Sequence, residues 1–279
     1  MTQSFTQNRK KWMIGLSVIL AIFALAGYRY SKSHAQDDVL TIGISPPYAE
    51  LLQSVADDVK KQGIQVKLVE FSDWHAPNVA VQNGDIDANF FQHQPFLSNA
   101  LKETGFKLKR FAAGAATHVG LYSKKYKSFD QLPQNATVAI PNDPVNQGRA
   151  LLLLQQTKLI TLKNPENHLS NLSDIASNPK NLQFVEVEGP QTARAIDDVD
   201  LAFGYPHYLR LAKTADPESA LLFDENTNKR YAILFVVRED YQDKDDKLKK
   251  FVSIYQNSAQ VQQALNEDFG AKLWFPGWK

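Results

Sequence analysis

The chain contains no cysteine among its 279 residues. This absence excludes disulfides, thiolate metal sites and cysteine nucleophiles, and it removes the residue that bacterial lipoproteins acylate. An excess of one charge is also absent, because 31 lysine and arginine residues stand against 30 acidic residues. No field of one sign therefore favours nucleic acid or an anionic membrane as the main partner. We expect a small-molecule partner and a monomeric protein.

Catalytic and cofactor signatures are missing as well. The sequence has no GxSxG or HExxH pattern, no P-loop and no dinucleotide fingerprint. Asp85 and Asp87 lie on one side of an extended segment, which keeps a hydrolase open as a competing hypothesis. The alternative for Asp85 is a turn-capping role after Gly84. We predict a protein that is not an enzyme and that has no cofactor and no metal site.

The first 35 residues indicate export. Basic residues at 9–11 precede an uncharged apolar run from Trp12 to Gly27, which is the order of a signal peptide. Small residues at Ser33 and Ala35 permit cleavage before Gln36. The aromatic and basic flank after the run instead suits an uncleaved transmembrane anchor over 12–28. Both alternatives stay open, and both place the rest of the chain in the periplasm.

Strand and helix patterns alternate after the export segment. A first βαβ run covers residues 39–71, and a second opens with a strand at 136–140 and a helix at 147–157. A long apolar strand at 231–237 precedes amphipathic helices at 245–257 and 259–269, which should pack on the first lobe. This alternation predicts an α/β fold with parallel sheets.

No linker-like tract separates the two βαβ runs, so crossing strands should join two lobes around a cleft. We predict a first lobe formed by residues 36–120 and 233–279 and a second lobe formed by residues 124–230.

His93 lies between aromatic residues at the predicted end of a strand. It is interpreted as a metal ligand, as a packed and hydrogen-bonded histidine, or as a polar group in an aromatic pocket. No second ligand stands at metal-binding spacing nearby, so we favour the pocket.

The segment 141–149 follows a strand and opens an apolar helix. Free backbone N–H groups and the helix dipole predict an anion site at such a helix start. Arg149 adds a planar guanidinium that binds a carboxylate at two points, and in the first turn a cation needs a functional reason. Gly148 allows close approach of a ligand or of backbone.

Segments 85–97, 138–154 and 178–188 resemble the NlpA/MetQ family of methionine-binding proteins. The resemblance extends over the chain from Val39 to Trp278. It implies a type II periplasmic binding protein fold, a ligand held between the lobes, and delivery to the permease of an ABC importer. It also implies that residues 25–27 are a degenerate lipobox in which Tyr28 replaces the acylated cysteine.

The resemblance implies eight ligand-binding positions, and the chain departs from the family pattern at half of them. Phe91, His93, Asn146 and Arg149 are kept, whereas Trp74 and Phe96 replace tyrosine and Tyr205 and His207 replace asparagine. Arg149 is expected to bind the ligand carboxylate. The altered wall is expected to weaken binding of L-methionine.

We therefore predict the substrate-binding protein of an ABC importer for methionine or a related amino-acid-like carboxylate. A receptor or adhesion module on the same fold is a second competing hypothesis.

Overall fold

The chain divides by its internal contacts into Met1–Leu40 and Thr41–Lys279. The structure, a computed structural model, describes residues 39–224 and 229–279. The predicted signal peptide or anchor lies outside these ranges. Within them, no helix has the length and apolar composition needed to cross a membrane.

Strands and helices alternate through most of the described residues. The strands are β1 (Leu40–Ile44), β2 (Val66–Glu70), β3 (Ala88–His93), β4 (Leu108–Thr117), β5 (Gly120–Tyr122), β6 (Thr137–Pro141), β7 (Thr161–Leu162), β8 (Ile175–Ser177), β9 (Gln183–Val187), β10 (Leu201–Gly204), β11 (Leu222–Phe223), β12 (Ala232–Arg238) and β13 (Trp274–Pro276). The helices are α1 (Ala49–Lys60), α2 (Ala76–Asn83), α3 (Gln94–Thr104), α4 (Pro144–Gln156), α5 (Thr192–Ala195), α6 (Pro206–Ala212), α7 (Lys247–Asn257) and α8 (Ala259–Phe269).

The first sheet has the strand order β13-β4-β12-β3-β1-β2. β1 and β3 run parallel, with Ile42 opposite Ala88, whereas β12 runs antiparallel to both β3 and β4. β12 is a central strand, and all of its residues before Arg238 are buried. Burial on both faces explains why this segment is a continuous apolar run instead of an alternating one.

The second sheet has the strand order β11-β5-β10-β6-β9. β6 runs parallel to both β9 and β10, and β5 runs antiparallel to β10. Helix α4 shares a core with this sheet through Ala150, Leu151 and Leu154. The chain passes from the first sheet to the second between β4 and β5 and returns between β11 and β12.

Aromatic rings attach α7 to the first sheet. The ring centroid of Phe235 lies 4.4 Å from that of Phe90 and 5.5 Å from that of Tyr255. β4 is built from small residues beside this cluster, because a Cβ added at Gly114 would lie 2.6 Å from the Phe90 ring. Large apolar side chains on β4 would collide with these rings, which explains why its sequence does not predict a strand.

The expectation of parallel sheets is only partly correct, because both sheets contain antiparallel pairs. Parallel neighbours need a crossover connection within one sheet. β4 and β12 are not joined in this way, since the chain leaves the first sheet after β4 and re-enters it at β12. β12 therefore runs back alongside β4. Helices α3 and α6, which frame the site described next, are also absent from the sequence prediction.

Candidate functional site

A narrow cavity of about 30 Å³ is lined by strands β3, β4 and β12 of the first sheet and by residues of helices α4 and α6. All eight ligand-binding residues predicted from the sequence line it: Trp74, Phe91, His93, Phe96, Asn146, Arg149, Tyr205 and His207. The lining residues that sequence reasoning missed are Tyr48, Gln92, Thr117, Tyr208, Tyr231 and Ile233. Cavities lined mainly by aromatic side chains with a few polar groups are typical of small-molecule sites.

His93 ends β3 and caps the first turn of α3. Its Nδ1 accepts a hydrogen bond from the backbone N–H of Phe96 at 3.3 Å, so the proton of the neutral ring is on Nε2. Nε2 donates to Asn146 Oδ1 at 3.2 Å. Burial and the charge of Arg149 lower the pKa of His93 to about 3. His93 is therefore a neutral donor bonded to protein, and the described residues contain no cluster that could hold a metal ion.

Helix α4 begins at Pro144, three residues earlier than the sequence predicted, and Asp143 is its N-cap. The Asp143 carboxylate accepts hydrogen bonds from the backbone N–H and the side-chain amide of Asn146, at 2.9 and 3.1 Å. Burial raises the pKa of Asp143, although these bonds oppose the rise. The anion at this helix start is an internal one, because the Asp143 carboxylate caps the helix.

Gly148 permits close approach of backbone at α4. A Cβ added there would lie 2.2 Å from the carbonyl oxygen of His168. Of the two roles expected for Gly148, the structure therefore shows backbone packing.

Arg149 lies in the second turn of α4, and only 7% of its surface is exposed. Its Nε donates to Asp224 Oδ2 at 3.1 Å, and Nη2 donates to the same oxygen and to the carbonyl of Thr117. The guanidinium carbon lies 4.0 Å from the ring centroid of Tyr231, a cation–π contact. The cation that sequence reasoning placed in the first turn is thus balanced by an internal anion.

Asp224, the partner of Arg149, was missed by sequence reasoning. Its Oδ1 accepts from the Val119 N–H at 2.9 Å, and the His118 ring lies 3.4 Å from the same atom. Burial opposes ionisation of this carboxyl, but the charge of Arg149 and the bonds from His118 and Val119 lower its pKa overall. The sequence could have indicated such a residue in one way, because a buried arginine in a helix requires an anionic partner.

Trp74 is the centre of the aromatic wall. Its Nε1 donates to Tyr208 Oη at 2.9 Å, and its ring meets those of Phe96 and Tyr205 edge to face, with centroids 6.1 and 5.5 Å apart. The ring lies directly on Gly189, where an added Cβ would be 2.0 Å from the indole. Phe91, also predicted, joins the wall through Phe96, with centroids 5.8 Å apart.

Tyr205 and His207 flank the start of α6, with only 6% and 4% of their surfaces exposed. His207 Nε2 lies 3.1 Å from Tyr48 Oη. Burial lowers the pKa of His207 to about 3, so its ring is neutral. Tyr205 Oη and His207 Nδ1 have no hydrogen-bond partner among the described residues.

The two acids of the hydrolase hypothesis do not line the cavity. Asp87 Oδ2 accepts hydrogen bonds from the backbone N–H and the hydroxyl of Thr41, at 2.7 and 2.8 Å. Asp85 follows Gly84, which ends α2 with a left-handed backbone, and the Asp85 N–H donates to the Ala80 carbonyl. Both acids therefore belong to the local structure around α2 and β1.

Sequence and structure comparisons cover nearly the whole described chain. The profile of the NlpA lipoprotein family matches residues 40–278. The D-methionine-binding lipoprotein MetQ of Escherichia coli is 42% identical over 276 residues, covering 96% of this chain and 98% of its own.

Two solved structures have the same fold. A nutrient binding protein from Burkholderia cenocepacia bound to methionine has a TM-score of 0.75 and 38% sequence identity, and the match covers 82% of this chain and 96% of its own. The substrate binding protein of a methionine transporter from Streptococcus pneumoniae has a TM-score of 0.79 and 30% identity, with 86% and 96% covered. These likenesses confirm the fold of a substrate-binding protein that the sequence predicted.

Proposed function

Because the chain belongs to the NlpA lipoprotein family, we propose that it is the substrate-binding protein of an ABC importer. Its ligand is methionine or a related amino-acid-like carboxylate, held in the cavity between the two sheets. The observation that carries this proposal is the cavity, because it sets the buried cation Arg149 beside a wall of aromatic side chains. A cation and an apolar wall complement a carboxylate and an apolar side chain.

Each lining group has a role in this proposal. Arg149 binds the ligand carboxylate through Nη1, since its bonds to Asp224 and Thr117 use Nε and Nη2. Trp74, Phe91 and Phe96 surround the apolar part of the ligand. His93 and Asn146 hold each other in place at the junction of the two sheets.

The two sheets are the centres of two lobes, residues 36–120 with 233–279 and residues 124–230. Strand membership supports this division, because β1–β4, β12 and β13 form the first sheet and most of the second sheet lies within 124–230. Side-chain hydrogen bonds join the lobes across the cavity: Tyr48 with His207, Trp74 with Tyr208, and His93 with Asn146. Opening of the cleft must break these bonds.

The protein acts in the periplasm, either released by cleavage before Gln36 or held at the inner membrane by residues 12–28. There it delivers its ligand to a permease as a monomer and catalyses no reaction. The position of Asp85 and Asp87 outside the cavity lining supports this, because the acids that a hydrolase would use do not face the ligand.

Mass spectrometry of the ligand that co-purifies with the native protein tests the proposal. We expect close to one equivalent of an amino-acid-like carboxylate, released only on denaturation. A turnover screen of the same preparation should yield no product. A preparation that binds no such carboxylate, in extraction or in titration with a panel of them, contradicts the proposal.

A further inference from the structure

The charges around the cavity restrict the ligand. Among the described lining residues, Arg149 is the only charged side chain, since His93 and His207 are neutral. Its counter-ion Asp224 does not belong to the lining and stands on the far side of the guanidinium. A free α-ammonium group would enter this cavity close to a fixed cation and without a carboxylate among the described lining residues. Burying an unpaired charge in this way is strongly unfavourable.

Most polar atoms of the lining are already bonded to protein. His93 donates to Asn146, and the Asn146 amide donates to Asp143. The Gln92 amide is part of a buried network with Asn78 and Asn89. Most acceptors of the lining therefore already have a partner within the protein.

Two buried polar atoms of the lining stay available, Tyr205 Oη and His207 Nδ1. The tyrosine hydroxyl can donate one hydrogen bond, and its oxygen can also accept. His207 Nε2 faces the hydroxyl of Tyr48, which can accept a hydrogen bond. When Nε2 carries the ring proton and donates to Tyr48, Nδ1 is an acceptor. The lining thus offers one neutral donor, the Tyr205 hydroxyl, and one neutral acceptor, His207 Nδ1.

One donor and one acceptor are the complement of a secondary amide, which has one carbonyl and one N–H. An ammonium group has three donors and no acceptor, and it would leave the Tyr205 hydroxyl proton without a partner. An amide carbonyl would accept from this hydroxyl, so no buried donor would be left unpaired.

We propose that the ligand carries a neutral secondary amide in place of a free α-ammonium group. It is the acylated form of an amino acid, with Tyr205 donating to the amide carbonyl and His207 accepting from the amide N–H. This inference rests on the proposed function, because it assumes that the cavity binds a carboxylate through Arg149. An N-acyl amino acid and the C-terminal residue of a dipeptide share this chemistry.

Calorimetric titration of the full chain with three probes tests the inference. N-acetyl-L-methionine and glycyl-L-methionine carry the amide, and L-methionine carries the free ammonium. We expect at least one amide probe to bind tenfold or more tightly than L-methionine. If N-acetyl-L-methionine binds more tightly, the natural ligand is an N-acyl amino acid. If glycyl-L-methionine binds more tightly, it is a dipeptide.

A matched pair of variants tests the named contact. Tyr205→Phe removes only the hydroxyl and should weaken the amide probe about tenfold, as expected for one neutral hydrogen bond. It should change L-methionine binding less. Tyr241→Phe removes a hydroxyl whose bond is to Asp243 and should leave all three affinities unchanged. Thermal unfolding confirms that both variants are folded, and the comparison of probes on the unaltered protein does not depend on them.

The outcomes separate this inference from the proposed function. L-methionine binding as tightly as the amide probes overturns the amide inference and leaves the proposed function standing. Unchanged affinity of the amide probe for Tyr205→Phe overturns the assigned contact. Absence of binding by all three probes and by other amino-acid carboxylates overturns both.

Discussion

Arg149 and Asp224 form a buried ion pair that joins helix α4 to the residue after β11. Nε and Nη2 of Arg149 both donate to Asp224 Oδ2, and the other oxygen of Asp224 accepts from the Val119 N–H. Arg149 lines the cavity and Asp224 does not. The carboxylate therefore fixes the guanidinium through Nε and Nη2, and Nη1 makes no hydrogen bond among the described residues.

Asp224→Asn should destabilise the protein by about 3 to 5 kcal/mol, because it leaves the buried Arg149 charge without its anion. Urea denaturation measures the loss as a lower midpoint at unchanged slope. Asp240→Asn is the matched control, since Asp240 pairs with Arg238 at the exposed surface and should leave the midpoint unchanged. Equal midpoints for the two variants would contradict the structural role of Asp224.

Stability should fall as the pH drops from about 7 to about 4. His93 and His207 have pKa values lowered to about 3 in the fold, against about 6.5 in the unfolded chain. Between these values the unfolded state binds more protons, so unfolding becomes easier by about 1 kcal/mol per pH unit for each histidine. Denaturation midpoints measured across this range test the slope.

His207→Gln should flatten this pH dependence, because one of the two buried neutral histidines is removed. His75→Gln replaces an exposed histidine and is the control. The pH slope of His207→Gln should be the smaller of the two. An equal slope in both variants would mean that burial of His207 does not link folding to pH.

The sequence predicted those site residues that belong to a local pattern, and it missed those that meet only in the folded chain. His93 was found because an aromatic strand end carries its own pattern, and Arg149 because it lies near the start of an apolar helix. Phe91 was found only through the family resemblance. Asp224 was missed because it meets Arg149 over 75 residues of sequence, a separation without periodicity. The cap of α4 by Asp143 was missed, although aspartate followed by proline is a local pattern of a helix start.

Gly189→Ala should displace Trp74, since a Cβ at Gly189 would lie 2.0 Å from the indole ring. Overpacking of this kind costs about 1 to 3 kcal/mol, and the movement should lower ligand affinity. Denaturation and calorimetry measure the two effects. In a Trp74→Ala background the added methyl has space, so Gly189→Ala should then cost little. A full cost in that background would show that the clash lies elsewhere.

The chain should carry no lipid, because it contains no cysteine to acylate. Palmitate labelling of cells that express it should leave the protein unlabelled. Tyr28→Cys completes the Leu25-Ala26-Gly27 sequence as a lipobox and should introduce the label. Label on the unaltered chain would contradict the interpretation, and an unlabelled Tyr28→Cys variant would show that residues 25–27 are not a degenerate lipobox.

Calorimetry on Arg149→Lys tests most directly that the cavity binds a carboxylate through Arg149. Lysine keeps the positive charge beside Asp224 but lacks the planar guanidinium with its several donors. With the tightest ligand of the probe series, we predict at least a tenfold loss of affinity for Arg149→Lys. We also predict that the methyl ester of that ligand binds the unaltered protein weakly. Affinity for the carboxylate that is unchanged in Arg149→Lys, or an ester that binds as well as the acid, would contradict the account.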